Sequence, residues 1–129
     1  MNKILVEVSV GELLDKISIL EIKKDRIKDL DKLKFIKDEY EVLKNELEKN
    51  IKIDGKLEKL FVALKNVNSK LWIIEDDKRK CEKNSNFGED FIRLSRDVHF
   101  LNDTRAKIKL DINNHTGSKI KEIKEYTNY

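Results

Sequence analysis

Apolar residues recur at alternating steps of three and four along most of this chain, and no proline interrupts them in 129 residues. Side chains three or four apart share one face of an α-helix, whereas a half-buried strand needs alternation by two. Only Gly11, Gly55, Gly88 and Gly117 loosen the backbone, too few for a turn-rich β fold. The pattern predicts an all-α protein: an antiparallel bundle of about four long helices forming a single domain over residues 1–129.

Residues 3–8 are β-branched and partly alternating, which reads as a short strand or an extended lead-in. Ser9 followed by Glu12 is a capping box, so the first helix is expected over about 10–29, with Val10, Leu13, Leu14, Ile17, Leu20 and Ile27 on its apolar face. Leu33, Ile36, Tyr40, Leu43 and Leu47 mark a second helix over about 31–50. Leu57, Leu60, Leu64, Val67, Leu71 and Ile74, widened by Phe61 and Trp72, mark a third over 56–83. Asn86, with Glu89 three residues on, offers the cap of a fourth over 87–114. Its stripe is Phe91, Leu94, Val98, Leu101, Ile108 and Ile112, and Gly117 is its expected left-handed stop before a polar tail over 118–129. The coiled-coil-like seam of helices two and three runs longer than a compact monomer requires, which favours a homodimer.

Charged residues make up 41% of the chain, yet 28 Lys and Arg against 25 Asp and Glu leave a net charge of only +3. The two signs interleave at helical spacing, which speaks against a nucleic-acid footprint. No apolar stretch approaches the length of a membrane span or signal-peptide core; Leu60–Leu64, for instance, ends at Lys65. One cysteine, Cys81, excludes an internal disulfide and fits a cytoplasmic location. No metal-ligand spacing and no cofactor motif occurs. Glu75-Asp76-Asp77 cannot converge on one ion, because adjacent helix residues point about 100° apart.

The informative positions are those where the stripes lead to an apolar residue and a polar one stands instead. Glu21 and Lys24 follow Ile17 by four and seven, Glu75 follows Leu71 by four, and Asn68 follows Leu64 by four. Asn102 follows Val98 by four, and Arg105 sits between Leu101 and Ile108. Buried charge costs several kcal/mol unless paired, so these groups must pair, reach water or hold a ligand. Two readings stay open. The residues form a structural ion-pair network with stems covering apolar surface, or Lys24, Arg105 and Lys78 or Arg79 line an anion cavity in which Glu21 and Glu75 act as acceptors. The candidate ligand residues are Glu21, Lys24, Arg26, Glu75, Arg79, Asn102 and Arg105, expected to meet across the interior.

Three blocks of sequence carry a resemblance. They are Val8-Ser9-Val10-Gly11-Glu12-Leu13-Leu14-Asp15-Lys16-Ile17 through Arg26-Ile27, Leu71-Trp72 with Ile74-Glu75-Asp76-Asp77, and Asn102-Asp103-Thr104-Arg105-Ala106 through Gly117-Ser118. Together they resemble an uncharacterised family of short bacterial and phage helical proteins. His99, Ile123 and Glu125 depart from its pattern. The family brings no assigned activity, but the resemblance implies an association with glycosyltransferases and surface polysaccharides, and so with sugar phosphates or nucleotide sugars.

The resulting expectation is a small binding or interaction module for a protein partner or a small anionic ligand. The alternative is an enzyme acting on an anion in a bundle pocket. A chorismate-mutase-like site would use Lys24, Arg26 and Arg105, but the arginine spacing of that family is not reproduced. An all-α nucleotide-pyrophosphatase-like site needs paired acidic motifs, and Glu12-x-x-Asp15 is a single pair that capping explains.

Overall fold

The computed structural model describes residues 2–129 as four helices: α1 (Val10–Arg26), α2 (Leu30–Asn50), α3 (Gly55–Lys83) and α4 (Glu89–Thr116). Among the described residues there is no strand, and the all-α bundle expected from the periodicity is what the chain forms. The strand reading of residues 3–8 does not hold. Ile4, Leu5 and Val6 stand in solvent, with no neighbouring strand to satisfy an extended backbone.

The helix ends follow from local hydrogen bonding. α1 stops at Arg26, three residues short of the expected Asp29, because Asp29 caps α2: its side chain accepts from the Lys32 N–H at 3.0 Å and holds its backbone extended. Asp54 caps α3 in the same way through the Leu57 N–H at 2.8 Å. α4 begins at Glu89, not 87. The Asn86 side chain accepts from the Gly88 N–H at 3.3 Å, so Gly88 takes the N-cap position without a side-chain cap. Before that turn, Ser85 adopts φ +53°, and the N–H groups of Ser85 and Asn86 return to the carbonyls of Glu82 and Cys81. This is a Schellman ending of α3, with serine where glycine is usual. Gly117, at φ +66°, ends α4 as expected.

α1 is the central element, packing against each of the other three helices, while α3 and α4 form the longest contact in the molecule. The core gathers Leu14 and Ile17 of α1, Leu47 of α2, Leu57 and Leu64 of α3 and Ile112 of α4. It lies at one end of the bundle. α3 has 29 residues and α1 only 17, about 43 Å against about 25 Å, so the far halves of α3 and α4 run on beyond the core as a hairpin. No helix of the described residues is long and apolar enough to cross a membrane.

Candidate functional site

α1 buries two faces, and they differ in chemistry. Leu14 and Ile17 enter the apolar core, whereas Gly11 and Asp15 face a polar row on α4, Arg105, Lys109 and Asn113, and Ser18, three residues on, meets Asn68 of α3. The seam closes first at the helix start. The Gly11 N–H donates to Asn113 Oδ1 at 2.7 Å, the Val10 N–H to Ser118 Oγ at 3.2 Å, and the Glu12 N–H to Ser9 Oγ at 3.0 Å. The Leu13 N–H reaches the Ser9 carbonyl at 3.1 Å as the first bond of the helix itself, so the three helical N–H groups that precede it all have side-chain acceptors. A Cβ at Gly11 would lie 2.6 Å from the Lys109 carbonyl oxygen, which shows how closely the two backbones approach.

At the centre of the seam is Asp15, 1% exposed. Its carboxylate accepts from Arg105 through Nε at 2.9 Å and through Nη2, a bidentate fork, and from Asn68 Nδ2 at 2.9 Å. Lys109 Nζ stands 3.7 Å away and donates to Glu12 at 2.6 Å and Glu122 at 3.2 Å. Ser18 accepts from Asn68 at 2.7 Å and donates to the Asp15 carbonyl at 2.8 Å. Among the described residues no buried side-chain polar atom lacks a partner. Burial opposes ionisation of Asp15, but the hydrogen bonds from Arg105 and Asn68 and the nearby cationic charges outweigh it, holding the carboxyl below its usual range. Burial likewise opposes the charge on Lys109, and its carboxylate partners outweigh that and raise its pKa.

These shifts fix a pH response. A depressed carboxylate contributes stability above its unfolded pKa of about 4 and loses it as pH falls, while a raised lysine contributes below about 10.4 and loses it at higher pH. Thermal unfolding is therefore expected to show a neutral plateau with a decline below about pH 4, and Asp15→Asn is expected to flatten that acid arm. An acid arm that persists unchanged in Asp15→Asn would remove Asp15 from the explanation.

Beyond this network α1, α3 and α4 line an open surface cleft of about 410 Å³. Ile19 and Ile22 of α1 and Leu71 and Trp72 of α3 supply its apolar wall; Glu75, Asp76 and Arg79 of α3 and Arg105 of α4 supply charge. Among the described residues Glu75 and Arg79 enter no salt bridge. Arg105 lines the cleft, and its Nη1, unlike Nε and Nη2, is not held by Asp15 and makes a 3.5 Å contact to Asn102 Oδ1.

The seven residues singled out in the sequence thus separate into groups. Glu75, Arg79 and Arg105 share the cleft, and Asn102 borders Arg105. Glu21 and Lys24 lie instead beside α2, in a pocket of about 200 Å³. There Glu21 accepts from Lys65 at 3.0 Å and Tyr40 at 3.3 Å, and Lys24 rests 4.1 Å from the Tyr40 ring centroid. Arg26 is exposed in the last turn of α1, where a cation suits the helix dipole. The expected convergence of Glu21 and Lys24 on Glu75 and Arg105 does not occur, because Tyr40 and Lys65 give the first pair local partners. Asp15, Lys109 and Glu12 went unread as an inward cluster. Glu12 does not complete its capping box; its carboxylate goes to Lys109.

Fold and site together define a small all-α protein with a buried ion-pair seam and an adjoining charged cleft. A model of a family of unknown function, DUF6165, matches residues 4–129, and the chain belongs to that family. No curated protein and no solved structure matches it.

Proposed function

We propose that this protein is a small-molecule binding module, acting as a pair of identical chains, whose cleft takes a phosphorylated sugar or nucleotide sugar. The observation that carries the reading is Trp72, set beside Leu71, Ile19 and Ile22 in the cleft that also holds Arg79 and Glu75, neither of which enters a salt bridge among the described residues. An apolar ring face packs against the C–H face of a sugar or a base. Arg79 offers a guanidinium fork suited to phosphate, with Arg105 Nη1 as a second donor. Glu75 and Asp76 are acceptors for hydroxyl groups. The volume lies in the range of small-ligand sites, and a few polar groups on a mainly apolar wall are their usual composition.

Trp72 is the only tryptophan, so fluorescence excited selectively at tryptophan, apart from the three tyrosines, reports this cleft. Titration with glucose 1-phosphate, UDP-glucose and inorganic phosphate is expected to give a saturable change in emission with at least one sugar compound. That compound at about 100 times its Kd adds roughly 2.7 kcal/mol to stability. Arg79→Ala, at an exposed position, is expected to weaken binding at least tenfold while leaving Tm within 1–2 °C, a surface-substitution effect of about 0.5 kcal/mol or less. Emission that stays flat with all three compounds, or affinity unchanged in Arg79→Ala, overturns the reading.

A further inference from the structure

α3 and α4 together form a layer with α1 lying against one side, and the other side carries a second groove. This groove, of about 400 Å³, is floored by Ile73, Ile74, Phe100 and Leu101, with Lys70 and Asp97 at its rim. At about 100° per residue, Lys70, Ile73 and Ile74 stand roughly half a turn around α3 from the cleft residues Asn68, Leu71 and Glu75, so the groove faces away from α1. Ile73 is 46% and Phe100 40% exposed. Of the apolar residues between Asn68 and Lys109, only Cys81 and Leu94 are buried. On this face the chain's own Tyr129 meets Phe100 edge-on, with 5.1 Å between ring centroids, and Arg96 lies 6.0 Å from the same ring, yet Phe100 and Ile73 stay partly exposed; an apolar stripe of this kind is stable when packed against another element.

We infer that this outer α3/α4 face is where a second copy of the chain docks, an inference that rests on the paired-chain reading above. Charge selects a second copy as the occupant. α3 presents Lys70 and, seven residues on, Asp77; α4 presents Asp97 and, four residues before it, Arg93. These spacings keep each pair on one helix face. α3 and α4 run antiparallel, so a two-fold axis along the hairpin lays α3 of one copy over α4 of the other. Lys70 then approaches Asp97 of the second copy, and Asp77 approaches its Arg93. Each pairing occurs twice, as in any isologous interface. The two hairpins become a four-helix bundle with Ile73, Ile74, Phe100 and Leu101 inside, while the Trp72 cleft stays open on the far side.

The test is the molar mass of the full chain by sedimentation equilibrium and light scattering. The expected result is a dimer for the wild type. The double variant Ile73→Glu/Phe100→Glu is expected to be a monomer with unchanged helix content by circular dichroism, since both positions are partly exposed already. Lys70→Glu is expected to weaken association at least tenfold, and Lys70→Glu with Asp97→Lys to restore most of it; both sites are at the rim, so folding is not at stake. A wild type that stays monomeric at high concentration overturns both this interface and the paired-chain reading. A dimer that survives these substitutions overturns the interface alone and moves the contact elsewhere, for example to the exposed Phe35 and Val42 of α2.

Discussion

Replacing Asp15 by alanine is expected to lower stability by roughly 3–5 kcal/mol, the range for removing one partner of a buried ion pair. A drop in Tm of at least about 10 °C follows for a chain of this length. The cause is less the lost attraction than what remains. Lys109, 8% exposed, and the half-buried Arg105 would keep their charges with fewer acceptors, and Asn68 would lose an acceptor inside the core. Removing Arg105 as well is expected to cost less than the sum of the single changes, because the unmatched cation goes with it. Glu21→Ala is the control. Its pair with Lys65 is partly solvated, and such pairs contribute about 0–1 kcal/mol. Calorimetric melting that finds Asp15→Ala and Glu21→Ala alike would show the seam to be dispensable.

The second large effect is expected at Gly11. Alanine normally stabilises a helix interior by about 1 kcal/mol over glycine. Here its methyl group would meet backbone, the Lys109 carbonyl at 2.6 Å, with Asn113 Oδ1 at 3.0 Å. Backbone cannot rotate aside, so α1 and α4 must separate, and overpacking of this kind costs about 1–3 kcal/mol. Gly11→Val is expected to exceed that range and to weaken the Asp15–Arg105 fork as the helices part. Chemical denaturation measures both variants; a Gly11→Ala protein as stable as the wild type would mean that the two helices are not held this close. Gly55→Ala is the matched comparison, since a Cβ there meets nothing within 4 Å.

The helices were legible because a period of three and four, unbroken by proline, admits little else. Their ends were less so, since Ile27 continues the stripe of α1 although Asp29 has a competing task as the cap of α2. The site was legible in part for a related reason. Asn68 and Arg105 interrupt an apolar stripe and so announce themselves, and both are found in the buried network. Asp15 lies beside Leu14, off that stripe, where a helix with one packed face would be solvated. α1 packs on two faces, and the second is made of Gly11, Asp15, Ser18 and Ile22. The signal for it was present as matching polar spacing, four and three on α1 against Arg105, Lys109 and Asn113 at intervals of four on α4. Glu21 and Lys24 misled because helical angle alone does not say which neighbour a face meets; Tyr40 and Lys65 do.

The seam between α1 and α4 also orders events during synthesis. Asp15 meets Arg105 across 90 positions, and Gly11 meets Asn113 across 102. A ribosome adding about 5–20 residues per second leaves the α1 carboxylate without its guanidinium for on the order of 5–20 s. Through that interval α1 and α2 can pair through their leucines, but the emerging polypeptide cannot seal its central helix until α4 has been translated. Closure of the seam is thereby tied to synthesis of α4, and a nascent chain stalled before Arg105 is expected to remain open to protease within α1.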